Sequence, residues 1–432
     1  MVSSTRLENY AVSDDGEEGP KDRGNVVFCL VMIVGFGVLM PWNMFITIAP
    51  DYFEKYWFKQ NDTATWYSNE FMSALAIASQ LPNALINIIN LFLIIGGPLI
   101  YRVLAPVLFN LINVSAVLAL VIFVNPTPEG MAWFFWTMLA IIMSINFSNG
   151  LYENSIFGVF ADFPHKYTSA LLIGNNVCGL LITILTLAIT LIANNVPQLT
   201  AIIYFSISLA ILVICGFALF LITKQDFYHY HHEKGIEVRK KADTHKPSLT
   251  ILWTTFKGCY VQIFNIWFSF AVTLTMFPAM MSQIKPSGSG YLEKYLSNND
   301  NIYTLITTYL VFNLFSTIGA ILSSKFQKPG PKYLIYFVIA RAFFIPLFFF
   351  CNYRSESREI PVYFKSSDIF VPAGILMSLS HGYLSSLAMG YTPKAVSSHL
   401  SRFAAQLSAC TLMVGLLTGA IFSSLVGQII KQ

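Results

Sequence analysis

Eleven stretches of this chain are each about twenty or more residues long and almost free of charge, which constrains the fold more than any other feature. They run approximately over Asn25–Ala49, Phe71–Ile95, Leu99–Val124, Met131–Phe160, Tyr167–Ala193, Thr200–Thr223, Ile251–Gln283, Tyr303–Ser324, Tyr333–Tyr353, Ile369–Tyr391 and Phe403–Ile430. An apolar helix of roughly 20 residues crosses a bilayer core. None of the runs alternates apolar with polar residues as barrel strands do. Only helices and closed barrels satisfy their backbone in lipid, so the expectation is an all-α integral membrane bundle of eleven transmembrane helices. Charged residues make up 11% of the chain, too few to cover a water-facing surface when soluble domains carry about a quarter. The longest internal polar stretch, Lys224 to Ser248, divides the runs into six and five. The expected organisation is a disordered cytoplasmic tail over 1–24, a six-helix bundle over 25–223, a cytoplasmic loop over 224–249 and a five-helix bundle over 250–432.

Orientation follows from lysine and arginine, which concentrate on the cytoplasmic side. With the N-terminus inside, 17 of the 26 fall on the cytoplasmic side and eight on the other, and Arg341 remains within a helix. Eleven crossings then place the C-terminus outside. Asn61-Asp62-Thr63, an N-glycosylation sequon, falls in the first outer loop on the same assignment. The acidic N-terminal tail shows no dileucine sorting pattern, and the plasma membrane is the expected location.

Several function classes drop out. The net charge is only +4, with no dense basic stripe outside one short loop, so no nucleic-acid partner is expected. No Walker loop, HExxH or GxSxG occurs, and the chain is not read as an enzyme or an ATP-driven pump. The six cysteines lie apart, mostly in apolar runs, without metal-ligand spacing. His229, His231 and His232 lack a carboxylate or cysteine framework and read as a solvated loop. No metal or other cofactor is expected.

Polar groups at membrane depth are the functional signal, because they are costly in lipid and turn inward. Glu153, Arg341 and His381 are the ionisable ones. Glu153 and Arg341 carry opposite charge in opposite halves. Arg341 reads as a structural or pairing residue, with Glu153 among its potential partners, and Glu153 itself reads as facing a wet cavity. Gln80, Asn83, Asn87 and Asn90 step by three and four along one helix face. Asn146, Ser148, Asn149, Asn154, Asn175 and Asn176 add more amides and hydroxyls. Such a set either locks helices together or lines a path for a polar, flat solute, and the number of groups favours the path. Prolines at Pro41, Pro82, Pro278 and Pro346 are expected to interrupt their helices, and Trp42 beside Pro41 offers a stacking face. Glycines at Gly35, Gly37, Gly150, Gly158, Gly174, Gly179, Gly415 and Gly419 read as close helix packing.

The first helix contains Gly35-Phe36-Gly37-Val38-Leu39-Met40-Pro41-Trp42-Asn43-Met44-Phe45-Ile46-Thr47, and the tenth ends in Gly382-Tyr383-Leu384-Ser385-Ser386-Leu387-Ala388-Met389-Gly390-Tyr391-Thr392-Pro393-Lys394-Ala395-Val396. Met276-Phe277-Pro278-Ala279, Phe312-Asn313 and Ala340-Arg341-Ala342-Phe343-Phe344-Ile345-Pro346 lie between them. In this order the motifs closely resemble the equilibrative nucleoside transporter family. The resemblance covers nearly all spans and the six-plus-five layout. It implies a bundle related to the major facilitators, working by alternating access around a central cavity, with nucleosides passing downhill. By position, Trp42 and Asn43 would line the site and Leu39, Phe277 and Asn313 would lie near it. Gln80 and Asn83 flank the Leu81-Pro82 step. Two departures stand out. Where relatives carry Asp and Arg on the eighth helix, this chain has Ser316 and Ala320, and a common Gln on the fourth helix is here Glu153. Sugar recognition would then pass to Glu153, Gln80, Asn83, Asn313 and Ser316. The alternative is a nucleobase, or an organic cation or monoamine, with Glu153 as a protonatable counter-charge. A transport-dead receptor that captures a partner through Lys224–Ser248 is the third class.

Overall fold

Long apolar runs without charge become helices here because in lipid each backbone donor must find its acceptor within the same segment. The computed structural model describes residues 20–429 except 61–62, 93–99, 193–195, 242–247, 288–290, 292, 294–299 and 354–360. The expected N-terminal tail and Asn61 fall largely or wholly outside the described residues. The N-terminal half comprises α1 (Val26–Ile48), α2 (Trp66–Phe92), α3 (Tyr101–Phe123), α4 (Met131–Phe160), α5 (His165–Ile192) and α6 (Pro197–Ile222). After the linking helix α7 (Asp226–Lys241) come α8 (Leu249–Met276), α9 (Asp300–Thr304), α10 (Val311–Lys325), α11 (Leu334–Ala340), α12 (Phe344–Phe349), α13 (Ser367–Tyr391) and α14 (Ser401–Ile429). A two-stranded antiparallel ribbon, Lys59–Gln60 with Thr63–Ala64, lies between α1 and α2.

Among the described residues eight helical segments are long and apolar enough to cross a membrane on their own, and Ile77–Ile89 and Leu334–Phe349 form shorter apolar stretches. The amides of α2 and the serines and His381 of α13 dilute hydropathy in helices of full spanning length.

The prolines act less sharply than expected. Pro41 and Pro82 lie inside continuous helices, so α1 and α2 are not interrupted there. One lost backbone bond is tolerated where neighbouring helices hold the segment. By contrast, α8 ends at Met276, just before Phe277-Pro278, and a 3₁₀ turn, Arg341–Phe343, separates α11 from α12 before Pro346.

Close crossings explain the glycines. A Cβ on Gly35 of α1 would strike the Leu171 carbonyl of α5, and one on Gly174 of α5 would strike the Met32 carbonyl of α1. In the other half, Gly319 of α10 and Gly382 of α13 meet in the same reciprocal way, against Leu379 and Ser316 carbonyls. Backbones can approach this closely only where no side chain intervenes.

The polar stretch after α6 is not a plain loop. Asp226 opens α7, and Phe227, Tyr228 and His231 lie on adjacent positions of one face. That face packs on Phe163 and Tyr167 at the α4–α5 turn, with ring centroids 5.1 Å apart for both Tyr167–Phe227 and Phe163–His231. α7 also reaches the turn Ser398–Leu400 before α14. Asp22 ties the chain start to the same region. Its carboxylate accepts from the Val27 and Phe28 amides and from the Tyr167 hydroxyl.

Candidate functional site

The packing of the helices differs at the two ends of the bundle. At the end holding the starts of α1, α5 and α14 and the ends of α4 and α13, here the basic end, one apolar core joins both halves. It unites Val31, Phe160 and Leu171 with Leu384, Met389 and Leu412. Toward the opposite end the described residues form two separate cores. One draws only on the N-terminal half, including Phe45, Phe53, Trp57 and Phe134. The other draws only on the C-terminal half, including Met276, Phe312, Phe348 and Phe370. At that level the shared apolar core gives way to one core per half, and the Asn313–Thr183 hydrogen bond still joins them there.

Four helices show that level in their own sequence. On α1, Leu39 packs against both the joint core and the N-terminal one. On α8, Phe270 belongs to the joint core and Val272 to the C-terminal one. On α4, Ile156, Phe157 and Phe160, three, four and seven residues after Glu153, belong to the joint core. On α13, Leu384 and Ala388, three and seven residues after His381, do the same. Residues so spaced share a helix face. Glu153 and His381 therefore each sit one turn above the joint core, one in each half.

Glu153 is 2% exposed. Among the described residues no hydrogen bond or ion pair reaches its carboxyl. Its oxygens are not among the sealed unpartnered atoms, so the small exposure it keeps is at the carboxyl. The adjacent side chains fix its direction. Tyr152 donates to the Val34 carbonyl of α1, and Asn154 donates to the Gln406 carbonyl of α14. Successive helical residues are about 100° apart, so Glu153 points between α1 and α14, toward the meeting of the halves.

Arg341 is 2% exposed and does not pair with Glu153, correcting one sequence-based option. Its guanidinium donates instead to the Ser269 carbonyl and hydroxyl at 2.9 and 2.7 Å, to Thr273 Oγ1 at 2.6 Å and to Ser380 Oγ at 3.2 Å. It clamps α8 to α13, with hydroxyls and a carbonyl in place of a carboxylate.

The other expected site residues fall into two groups. Leu39, Trp42, Gln80 and Phe277 are half-buried near the branching level. Trp42 packs on the N-terminal core, and Phe277 stacks on Phe312 with centroids 3.7 Å apart. The second group is engaged with protein. The Asn43 amide donates to Cys178 Sγ, and Asn83 accepts from Asn87 at 2.8 Å. Asn313 donates to Thr183 Oγ1 at 3.0 Å, and Ser316 donates to Asn176 Oδ1 at 2.9 Å. Both of these last bonds cross from α10 to α5, so Asn313 and Ser316 stitch the halves together. The Asn90 side chain lies outside the described residues. Among the described residues no cluster of metal-ligating side chains forms.

A family profile described as nucleoside transporter matches residues 139–427. The chain belongs to the nucleoside transporter family. Similar relatives include equilibrative nucleoside transporter 3 of Rattus norvegicus, 26% identical over 96% of this chain and 91% of the relative. Equilibrative nucleoside transporter 1 of Homo sapiens is 25% identical over 95% and 99%. Among solved structures, the major facilitator transporter FucP in its outward conformation covers 93% of this chain and 96% of its own, with a TM-score of 0.57 at 11% identity. The proton:xylose symporter XylE aligns at a TM-score of 0.56 and 9% identity over 94% and 87%. At such identities the likeness is one of fold, and this nucleoside transporter family member has a major-facilitator-like fold.

Proposed function

We propose that the chain is an equilibrative nucleoside carrier that works by alternating access, with eleven crossings, an inside N-terminus and an outside C-terminus. On that orientation the basic end is cytoplasmic. The joint core then closes the path inside, the separate cores leave it open outside, and the structure represents an outward-facing state. The observation that carries the reading is Glu153, a carboxyl left without a partner where the joint core divides. Family membership and relatives named as equilibrative nucleoside transporters support the solute class.

In this reading the base stacks on Trp42 or Phe277 and the sugar hydroxyls donate to Glu153, with Gln80 and Asn83 nearby and Leu39 shaping the floor. Asn313 and Ser316 act by breaking and remaking their bonds to α5 as the halves rock. No differential binding drives the cycle, since an uncoupled carrier only equilibrates its solute. The cation alternative is not favoured. Multi-pass insertion in the plasma membrane, with Asn61 glycosylated outside, completes the proposal.

The test is an uptake panel in one expression system with radiolabelled uridine, adenosine, free bases and serotonin. Saturable nucleoside uptake that runs down the gradient and is flat from about pH 5.5 to 8 is expected. Serotonin uptake without nucleoside uptake would overturn the assignment. Uptake that steepens in acid would replace equilibration with proton coupling.

A further inference from the structure

His381, one turn above the joint core on α13, occupies the place in the C-terminal half that Glu153 occupies in the N-terminal half. It is 7% exposed, on the face of α13 one turn above the joint core. Its ring stacks on Phe312, with centroids 5.6 Å apart and planes 25° apart, and meets Phe270 edge-on. Because Phe277 stacks on Phe312 in turn, the three rings form a column that ends at the histidine.

The hydrogen bonds fix which nitrogen of that ring carries the proton. Thr273 Oγ1 has one proton and donates it to the Ser269 carbonyl at 2.8 Å. It accepts from Arg341 Nη2 at 2.6 Å and lies 3.0 Å from His381 Nδ1. With its own proton committed, the hydroxyl can only accept from the ring, so Nδ1 carries the hydrogen. A second ring proton would set two cations across one hydroxyl oxygen. Nε2 is then left with a free lone pair. No hydrogen bond reaches it among the described residues, and it is not one of the sealed unpartnered atoms.

We propose that His381 Nε2 is a substrate-binding acceptor that takes a hydrogen bond from the nucleoside across the space from Glu153. Arg341 is the positioning residue that fixes the tautomer through Thr273. This rests on the nucleoside-carrier reading and adds a specificity determinant to it. The donor is a ribose hydroxyl or a base N–H.

The test measures inhibition of labelled adenosine uptake by a series of analogues. The series lacks, one at a time, the 2′-, 3′- and 5′-hydroxyls and the exocyclic amine. It is run on the wild type, His381→Phe and Thr273→Val. His381→Phe keeps an aromatic ring in the column and is expected to weaken adenosine roughly five- to tenfold. One analogue, the one missing the donor, is expected to lose nothing further, and its identity tells ribose from base. Thr273→Val leaves the imidazole in place, frees its tautomer and is expected to shrink the same discrimination. Equal losses for every analogue would make His381 merely structural and overturn the proposal, as would unchanged discrimination in both variants. If His381→Phe does not reach the surface, unchanged discrimination in Thr273→Val alone overturns it. A wild type that takes up no nucleoside defeats the carrier reading and this inference with it. Transport with wild-type discrimination in the variants defeats the inference alone.

Discussion

The two ends of this bundle use the same residue types to opposite effect. At the basic end, phenylalanine, leucine and valine from both halves merge into one core, reinforced by α7 and by Asp22. At the other end equally apolar buried residues form a separate core in each half, bridged by the Asn313–Thr183 bond. Composition does not separate the ends, since both are rich in aromatics. The difference lies in which helix faces meet. A carrier of this design closes one end by merging cores and opens the other by parting them. In the proposed cycle the polar groups at the branch point, Glu153 in one half and His381 in the other, would be exposed in turn to each compartment.

The largest expected effect comes from breaking a half internally. Gly382→Leu places a side chain against the Ser316 carbonyl, where backbones cross. It is expected to destabilise the C-terminal half by on the order of 3 kcal/mol or more. Thermal unfolding of the detergent-purified protein, together with its yield, measures this. Wild-type stability would mean that the α10–α13 crossing is looser than described.

Fixing the joint core comes next. Asn154 and Gln406 meet between α4 and α14. A disulfide between Asn154→Cys and Gln406→Cys is expected to abolish uptake, with recovery on reduction. Flux that continues through the cross-linked protein would show that this end need not open.

Glu153→Gln sharpens the contrast with a smaller change. The amide is as unpartnered as the carboxyl that it replaces, so stability is expected to change by less than about 1 kcal/mol. Nucleoside uptake is expected to fall roughly five- to tenfold as an acceptor oxygen is exchanged for an NH2 donor. Lower stability with unchanged uptake would instead give Glu153 a structural role.

The smallest effect concerns α7. Burial, with Lys234 nearby, pushes His231 down to about 4. A free histidine takes its proton near 6.5. Protons therefore favour the undocked helix. Docking is fully supported above about pH 6.5 and weakens as the pH falls toward 4. Protection of the α7 amides, taken relative to the intrinsic exchange rate at each pH, should fall between about pH 6.5 and 5, and His231→Phe should remove that fall. Protection independent of pH in the wild type would contradict the docking geometry.

Much of the fold was legible in the sequence because the bilayer demands long uncharged runs, and those runs coincide closely with the helices. α7 was less legible. A search for apolar length passes over a short polar helix, although Phe227, Tyr228 and His231 at adjacent face positions carried the signal. Proline was over-read at Pro41, since whether a helix survives depends on its neighbours more than on one missing donor. Glu153 stood out as a carboxylate at membrane depth, and the glycine crossings stood out as small residues in helix interiors. The pairing of Asn313 and Ser316 with α5 was not legible, because it depends on contacts between the halves. His381 was visible only as an ionisable residue in a span. Its tautomer needs Thr273 and Ser269 of α8 and Arg341 of the turn after α11 brought to α13.

Transport as proposed needs a water-filled space that reaches Glu153 from outside the cell. The direct measurement is the reaction of Glu153→Cys with a small membrane-impermeant methanethiosulfonate reagent added to intact cells, with and without adenosine. Modification above that of the parent protein, slowed by adenosine, is expected. A thiol that stays unmodified, or reacts at the same rate with adenosine present, would contradict the proposal.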